Sequence, residues 1–142
     1  GSNDASVAAW EGKYKHNVER PIDFIRKHIN PNFTPTLGRA IGSIGLTPDF
    51  PGYPSGHSTF GGMGGDIFAQ QFGMEYTFTD NCHKNRSEFY GIPRTFLNFR
   101  ELGEENAFSR IPLGVHPRFD CEEGIRLGRV IAEKVGQIRL KK

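Results

Sequence analysis

Pro54-Ser55-Gly56-His57-Ser58-Thr59-Phe60-Gly61-Gly62-Met63-Gly64-Gly65-Asp66-Ile67-Phe68-Ala69-Gln70-Gln71-Phe72 reads as a turn followed by a helix over 58–72. Gly61, Gly62, Gly64 and Gly65 lie inside that helix, and each costs about 1 kcal/mol relative to alanine. Close approach of another backbone is the natural reason to keep them. The turn before the helix has chemistry of its own. Backbone N–H groups at a helix start are unpaired and carry partial positive charge. An anion can dock there, and Gly56 lets it come close. Ser55 offers a hydroxyl donor, and His57 an imidazole suited to proton transfer near neutrality. The same residues also fit a serine-capped helix start with an incidental histidine.

The surrounding chain is helical with long irregular connections. Residues 5–18 are expected to form a helix, with Pro21 near its end or opening the next one over 22–29. Residues 30–54 hold five prolines and four glycines and read as a long loop. A loop of this size usually has a functional reason. A polar loop follows over 73–91, then a helical stretch over 94–110. The last helix runs over 120–139. Ile125, Gly128, Ile131, Ala132, Val135 and Ile138 form its apolar stripe. Asp120 is expected as its N-cap. Glu122 and Glu123 in the first turn, and Arg139, Lys141 and Lys142 at the end, match the helix dipole. The fold class is all-α.

Two further strings carry charge. Lys13 and Arg20 are seven residues apart, two helical turns, so a continuous helix puts both cations on one face. Pro21 disfavours helical geometry at Arg20. The pair also fits a solvated basic face with Lys15 and Arg26. Arg110 and His116 are six apart, and Pro112 and Gly114 break the helix between them. The bend can swing both side chains to one point. Arg110 would grip two oxygens as a planar fork. His116 would attack phosphorus or ligate a metal. A helix-ending turn with a surface arginine and a packed histidine is the plainer alternative.

Composition narrows the classes. The 142 residues fit one domain, able to bury about two-thirds of its unfolded surface. A charged fraction of 24% and net charge of +2 suit a soluble chain and give no basic excess that argues for nucleic acid. No apolar run approaches the roughly 20 residues that cross a bilayer, and no signal peptide is visible. Gly1-Ser2 reads as a cloning scar, with 1–4 a disordered start. Cys82 and Cys121 are too few for a disulfide framework and read as unpaired thiols. His16, His28 and His83 read as surface or packing residues. Cys82-His83 lacks metal-ligand spacing, so no zinc site is expected.

In this order, the strings Lys13-x6-Arg20-Pro21, Pro54-Ser55-Gly56-His57 and Ser109-Arg110-x5-His116-x3-Asp120 resemble a three-part signature. It is that of the superfamily uniting vanadium-dependent haloperoxidases with type 2 phosphatidic acid phosphatases and bacterial nonspecific acid phosphatases. The resemblance runs from about Trp10 to Asp120. It implies a mostly helical fold with an anion site at the bundle core. Lys13, Arg20 and Arg110 would hold the equatorial oxygens of vanadate or phosphate, helped by Ser55 and the Gly56 N–H. His57 would be the acid–base residue near the apical position. His116 would be the vanadium ligand, or the nucleophile in a phosphatase. In the phosphatases the aspartate matching Asp120 orients that histidine, and the sequence leaves this role and the N-cap role both open for Asp120.

Two flanking segments, Glu105-Asn106-Ala107-Phe108-Ser109-Arg110 and Leu113-Gly114-Val115-His116-x-Arg118-Phe119-Asp120, look closer to fungal and bacterial vanadium haloperoxidases. Trp10 and Phe50 correspond to bulky residues beside the halide site, and equally fit plain core packing. Pro112 and Pro117 depart from the pattern, where relatives carry large apolar or aromatic residues. Pro117 biases His116 toward extended geometry. The resemblance implies a vanadate cofactor, with hydrogen peroxide, halide and a small organic molecule as substrates. An acid phosphatase with His116 as nucleophile is the alternative, and an inactive fragment a third. Relatives have several helices before the lysine-bearing one. Residues 5–142 are thus expected to be the C-terminal catalytic portion of a larger bundle, completed by an N-terminal segment or a second chain. Family resemblance favours a secreted or periplasmic location.

Overall fold

A computed structural model describes residues 1–38, 45–87 and 90–138. It contains α1 (Ser2–His16), α2 (Pro21–His28), α3 (Gly56–Phe72), β1 (Phe78–Asp80), β2 (Arg94–Phe96), α4 (Phe99–Phe108) and α5 (Arg118–Gly136). Helix α3 is central, packed on α4 and α5, with α1 against it. The chain is a mostly helical bundle.

The first helix differs from expectation at both ends. Helix begins at Ser2, so 2–4 are helical rather than a disordered start. It stops at His16, where Asn17 turns left-handed (φ 48°, ψ 43°) and returns its N–H to the Lys13 carbonyl. Asparagine tolerates that conformation better than most residues. Lys13 and Arg20 therefore do not share one continuous helix. Arg20 is extended at the N-cap of α2, as the residue before a proline prefers. Pro21 opens α2, where its missing N–H costs nothing.

Helix α3 starts at Gly56, two residues before the expected Ser58. The Ser55 hydroxyl accepts from the Ser58 N–H at 3.3 Å. Three of its four internal glycines meet another backbone. A Cβ on Gly61 would lie 2.5 Å from the Gly103 carbonyl oxygen, and one on Gly62 would lie 2.5 Å from that of Ile125. One on Gly65 would lie 2.8 Å from that of Phe99. Gly64 is the exception, with nothing within 4 Å of such a Cβ. Helix α5 answers with Gly124, where a Cβ would lie 2.6 Å from the Ser55 carbonyl oxygen, and with Gly128, which faces that of Thr59. Beside these contacts the buried Asp66 carboxylate accepts from Arg100 Nε at 2.6 Å. Arg129 of α5 pairs with Glu104 of α4 at 2.6 Å.

The polar loop expected over 73–91 contains β1, and the helix expected from Arg94 begins as β2. The two strands pair antiparallel, with Thr79 opposite Thr95. Their hydroxyls are 2.9 Å apart, and Phe78 stacks on Phe96 and Phe99. Helix α4 then starts at Phe99, where Asn98 accepts from the Glu101 N–H at 2.9 Å. The last helix starts at Arg118 with Pro117 as N-cap, so Asp120 is not the cap. Its apolar stripe is buried at Ile125, Gly128 and Ala132, while Ile138 is exposed. Arg139, Lys141 and Lys142 lie outside the described residues.

The long loop over 30–54 has neither helix nor strand in its described residues. Backbone bonds fix it at Thr36 N–H to Leu113 O and Gly52 N–H to Val18 O. Cys82 and Cys121 are both free thiols. His16 sits edge-on to Tyr53, and His28 lies against Phe24, both at the surface. Among the described residues, no helix is long and apolar enough to cross a membrane.

Glycine contacts make opposite predictions along one helix. Gly62→Ala is expected to destabilise by about 1–3 kcal/mol through overpacking against α5. Gly64→Ala is expected to stabilise by up to about 1 kcal/mol through helix propensity alone. Urea unfolding of the two variants reads both signs.

Candidate active site

The chain turns sharply after α4. Gly114 takes φ +75° and sends Val115 and His116 back into the bundle just before Pro117 opens α5. His116 is 5% exposed and Asp120 is fully buried. One helical turn separates them, and His116 Nδ1 lies 2.7 Å from Asp120 Oδ2. His116 Nε2 lies 3.0 Å from Arg20 Nη1. A guanidinium can only donate, so Nε2 accepts and Nδ1 carries the proton to Asp120. Burial pushes the His116 pKa down, against the upward pull of its Asp120 bond. Arg20 and Lys13 push it down further. Burial thus favours the neutral imidazole, with Nδ1 as its donor to Asp120 and Nε2 as its acceptor from Arg20.

Arg20 is held by carbonyls from two distant segments. Its Nε donates to Phe50 O at 2.8 Å and its Nη1 to Val115 O at 2.9 Å. Lys13 is fully buried. Its ammonium donates to Pro51 O at 3.0 Å and to Gly52 O and Pro54 O at 2.7 Å each. Burial lowers its pKa to about 8, with Arg20 pushing the same way and Asp120 opposing. The solvated basic face is excluded for this pair. Both cations also face an aromatic ring: Lys13 Nζ is 5.3 Å and Arg20 Cζ 5.0 Å from the Phe50 centroid. Phe50 packs on Trp10 at 5.1 Å.

The third segment arrives from α3. Ser55 caps the helix while its N–H bonds Asp120 O at 3.0 Å, which ties the starts of α3 and α5 together. Ser55 thus does fill the helix-cap role. Gly56 lies against Trp10, and a Cβ there would be 3.4 Å from the indole. His57 stands at the exposed rim. Burial of its imidazole, then Arg110 and Lys13, lowers its pKa. Arg110 follows α4 and is largely buried.

These segments enclose a cavity of about 370 Å³ lined by Trp10, Lys13, Arg20, Phe50, Gly56, His57, Arg110 and His116. Pro48, Phe60 and Asn106 complete its wall. Of the ten residues singled out in the sequence, eight line one space, while Ser55 and Asp120 lie behind it. Sequence reasoning assigned no role to Pro48, Phe60 or Asn106. Asn106 lay in a segment already noted, but nothing marked its side chain.

The donor set suits a multi-oxygen anion. Among the described residues, Arg20 Nη2 and Arg110 Nε are buried without a partner. An unpaired buried donor is costly, and an oxyanion removes that cost. Asp120 Oδ1 is unpaired too, but it is an acceptor that an anion leaves unchanged. A tetrahedral or trigonal-bipyramidal oxyanion would meet guanidinium donors, helix N–H groups and the Nε2 lone pair in one cavity. Vanadate fits this set, because a neutral imidazole nitrogen is a suitable metal ligand.

Comparison with known proteins identifies the family. Residues 1–141 match the family of the VCPO second helical-bundle domain. The chain is 31% identical over 158 residues to the vanadium chloroperoxidase of Curvularia inaequalis, covering 83% of this chain and 26% of that protein. It is 31% identical over 94 residues to the vanadium-dependent bromoperoxidase of Ascophyllum nodosum, covering 60% and 17%. A bacterial vanadium-dependent iodoperoxidase structure superposes with a TM-score of 0.82 at 30% identity, over 97% of this chain and 31% of that one. The chain thus spans no more than about a third of the length of these relatives. A holo bacterial vanadium-dependent chloroperoxidase shares the fold, with a TM-score of 0.74 at 17% identity over 92% of this chain. Matched along nearly its whole length, with its cationic residues gathered around one buried histidine, the chain belongs to the vanadium chloroperoxidase family as its second helical-bundle domain.

Proposed function

We propose that this chain carries the active site of a vanadate-dependent haloperoxidase. It would oxidise halide with hydrogen peroxide to a hypohalous species that halogenates small organic molecules. The observation that carries the reading is the setting of His116: Nδ1 bonded to Asp120 and Nε2 against Arg20, in the wall of a cationic cavity. The halide oxidations named for the relatives support it. Because the chain spans only part of those relatives, an N-terminal segment or second chain completing the bundle belongs to the proposal.

In this reading His116 Nε2 would give up its bond to Arg20 to hold vanadium, and Arg20, Arg110, Lys13 and the Gly56 N–H would neutralise the oxyanion's charge. Vanadate, when bound, supplies a Lewis acid that activates peroxide toward halide without changing oxidation state. The remaining steps belong to the protein. His57, its pKa lowered by partial burial and by Arg110 and Lys13, takes a proton from incoming peroxide. Trp10 and Phe50 exclude water from one wall, which strengthens every charge interaction inside. Asp120 keeps the Nδ1 proton in place and so keeps Nε2 as the ring's acceptor nitrogen.

A second reading rests on the same Asp120–His116 bond. An oriented, neutral imidazole is also a nucleophile for phosphorus. His116 would take a phosphoryl group, and His57 would protonate the leaving oxygen.

Protein reconstituted with vanadate is expected to retain vanadium by elemental analysis and to brominate a diketone probe only with peroxide and bromide present. His116→Ala is expected to abolish both. Hydrolysis of a chromogenic phosphate ester, blocked by vanadate, with no vanadium-dependent bromination, would instead install the phosphatase. Arg110→Ala is expected to lower kcat by about 10²–10³.

The pH dependence follows from the two shifted groups. His57 stays neutral to below the ordinary histidine value of 6.5, so turnover should persist into mild acid and fall as the imidazole gains its proton. Lys13 loses its proton as pH rises through about 8. Affinity for sulfate, whose charge is constant there, should fall above that pH by at most about tenfold per unit. Calorimetric titration of sulfate across pH 6–10 reads this slope.

A further inference from the structure

Asn106 lies in the last turn of α4, and Arg110 in the turn that follows it, where this segment meets the cavity. Both line it. Asn106 Nδ2 donates to the His57 carbonyl oxygen at 3.0 Å, across the junction of α4 and α3. That reach depends on the glycine contact beneath it. Gly61 and Gly103 meet backbone to backbone, and a Cβ on Gly61 would lie 3.2 Å from Asn106 Nδ2. Asn106 also borders the groove over Gly61, Gly64 and Gly65, and the cavity beneath the β1–β2 hairpin. It therefore stands at a corner where three spaces meet.

We propose that Asn106 is a positioning residue for His57. The inference rests on reading His57 as the proton carrier. The carboxamide holds the peptide of residue 57 against α4, and so fixes the imidazole relative to the oxyanion gripped by Arg110. A rim residue needs such a tether, because its side chain is not wedged in place by the core. An uncharged tether also leaves the local field alone. The charged groups acting on His57 are Arg110 at the end of α4 and Lys13 on α1.

Two variants of nearly the same shape test this. Asn106→Leu removes the donor, and Asn106→Asp replaces it with a negative acceptor. The readouts are the His57 imidazole resonances of the metal-free protein, calorimetric sulfate affinity, and kcat with vanadate, peroxide and bromide. Asn106→Leu is expected to shift and broaden the His57 resonances and to lower kcat by about ten- to a hundredfold. Sulfate affinity should stay within about twofold, because the Arg20, Arg110 and Gly56 donors are untouched. Asn106→Asp should raise the His57 titration midpoint, since a nearby carboxylate favours the imidazolium. It also decides the question should the leucine variant not fold. His57 resonances and titration unchanged in the folded variants would overturn the proposal. So would sulfate affinity and kcat falling in parallel. A parent protein without vanadium-dependent turnover would defeat the functional reading instead, while the His57 resonances still decide the role of Asn106.

Discussion

Helices α3, α4 and α5 approach until backbone touches backbone. Gly61 meets Gly103, Gly62 meets Ile125, and Gly124 meets Ser55. A β-carbon at these points would push the helices apart by tenths of an ångström to more than one. The separation matters because the site hangs from the helix ends. The starts of α3 and α5 are joined by the Ser55–Asp120 backbone bond, and α4 delivers Arg110 and Asn106 to the same region. The N-terminus of α3 therefore opens on the cavity and adds partial positive charge there. The glycines set the scale on which these helix ends meet.

The second requirement is to keep buried cations. An isolated charge inside a protein is strongly disfavoured. The loop before α3 answers with carbonyl oxygens, from Phe50 to Arg20 and from Pro51, Gly52 and Pro54 to Lys13. Phe50 adds its ring face to both cations. Asp120 supplies the counter-charge through His116, which explains why its carboxylate is spent on the imidazole and not on capping α5. The loop is long and proline-rich because its carbonyls must point inward where a helix or strand would engage them.

How much of this was legible in the sequence depends on what each residue bonds to. The three charged strings could be read because their side chains act directly and their spacing is fixed. Lys13, Arg20, His57, Arg110 and His116 line one cavity, but by a different route from the one their spacing suggested. The Lys13–Arg20 spacing suggested one helix face, whereas Asn17 reverses the chain and Pro21 starts a new helix. Asp120 matched a cap by position and an orienting role by resemblance, and tertiary packing chooses between them through its bond to His116. Strands β1 and β2 have three residues each, too short for alternation to show. Gly64 looked like its neighbours in sequence, yet nothing packs there. Asn106 was silent because it acts through a backbone carbonyl, which leaves no residue-type pattern.

The Lys13 cradle has a consequence for what the site can accept. Three carbonyl oxygens converge on one nitrogen, as in a macrocyclic receptor for primary ammonium ions. The three protons of an ammonium point along three directions of a tetrahedron, and the fourth direction is the side-chain stem. A guanidinium spreads its protons in a plane and cannot aim three of them into one such cup. The loop thus selects shape as well as charge, and lysine and arginine are not exchangeable between positions 13 and 20. Exchanging the two residues would preserve the site's total charge and lose the frame that holds it.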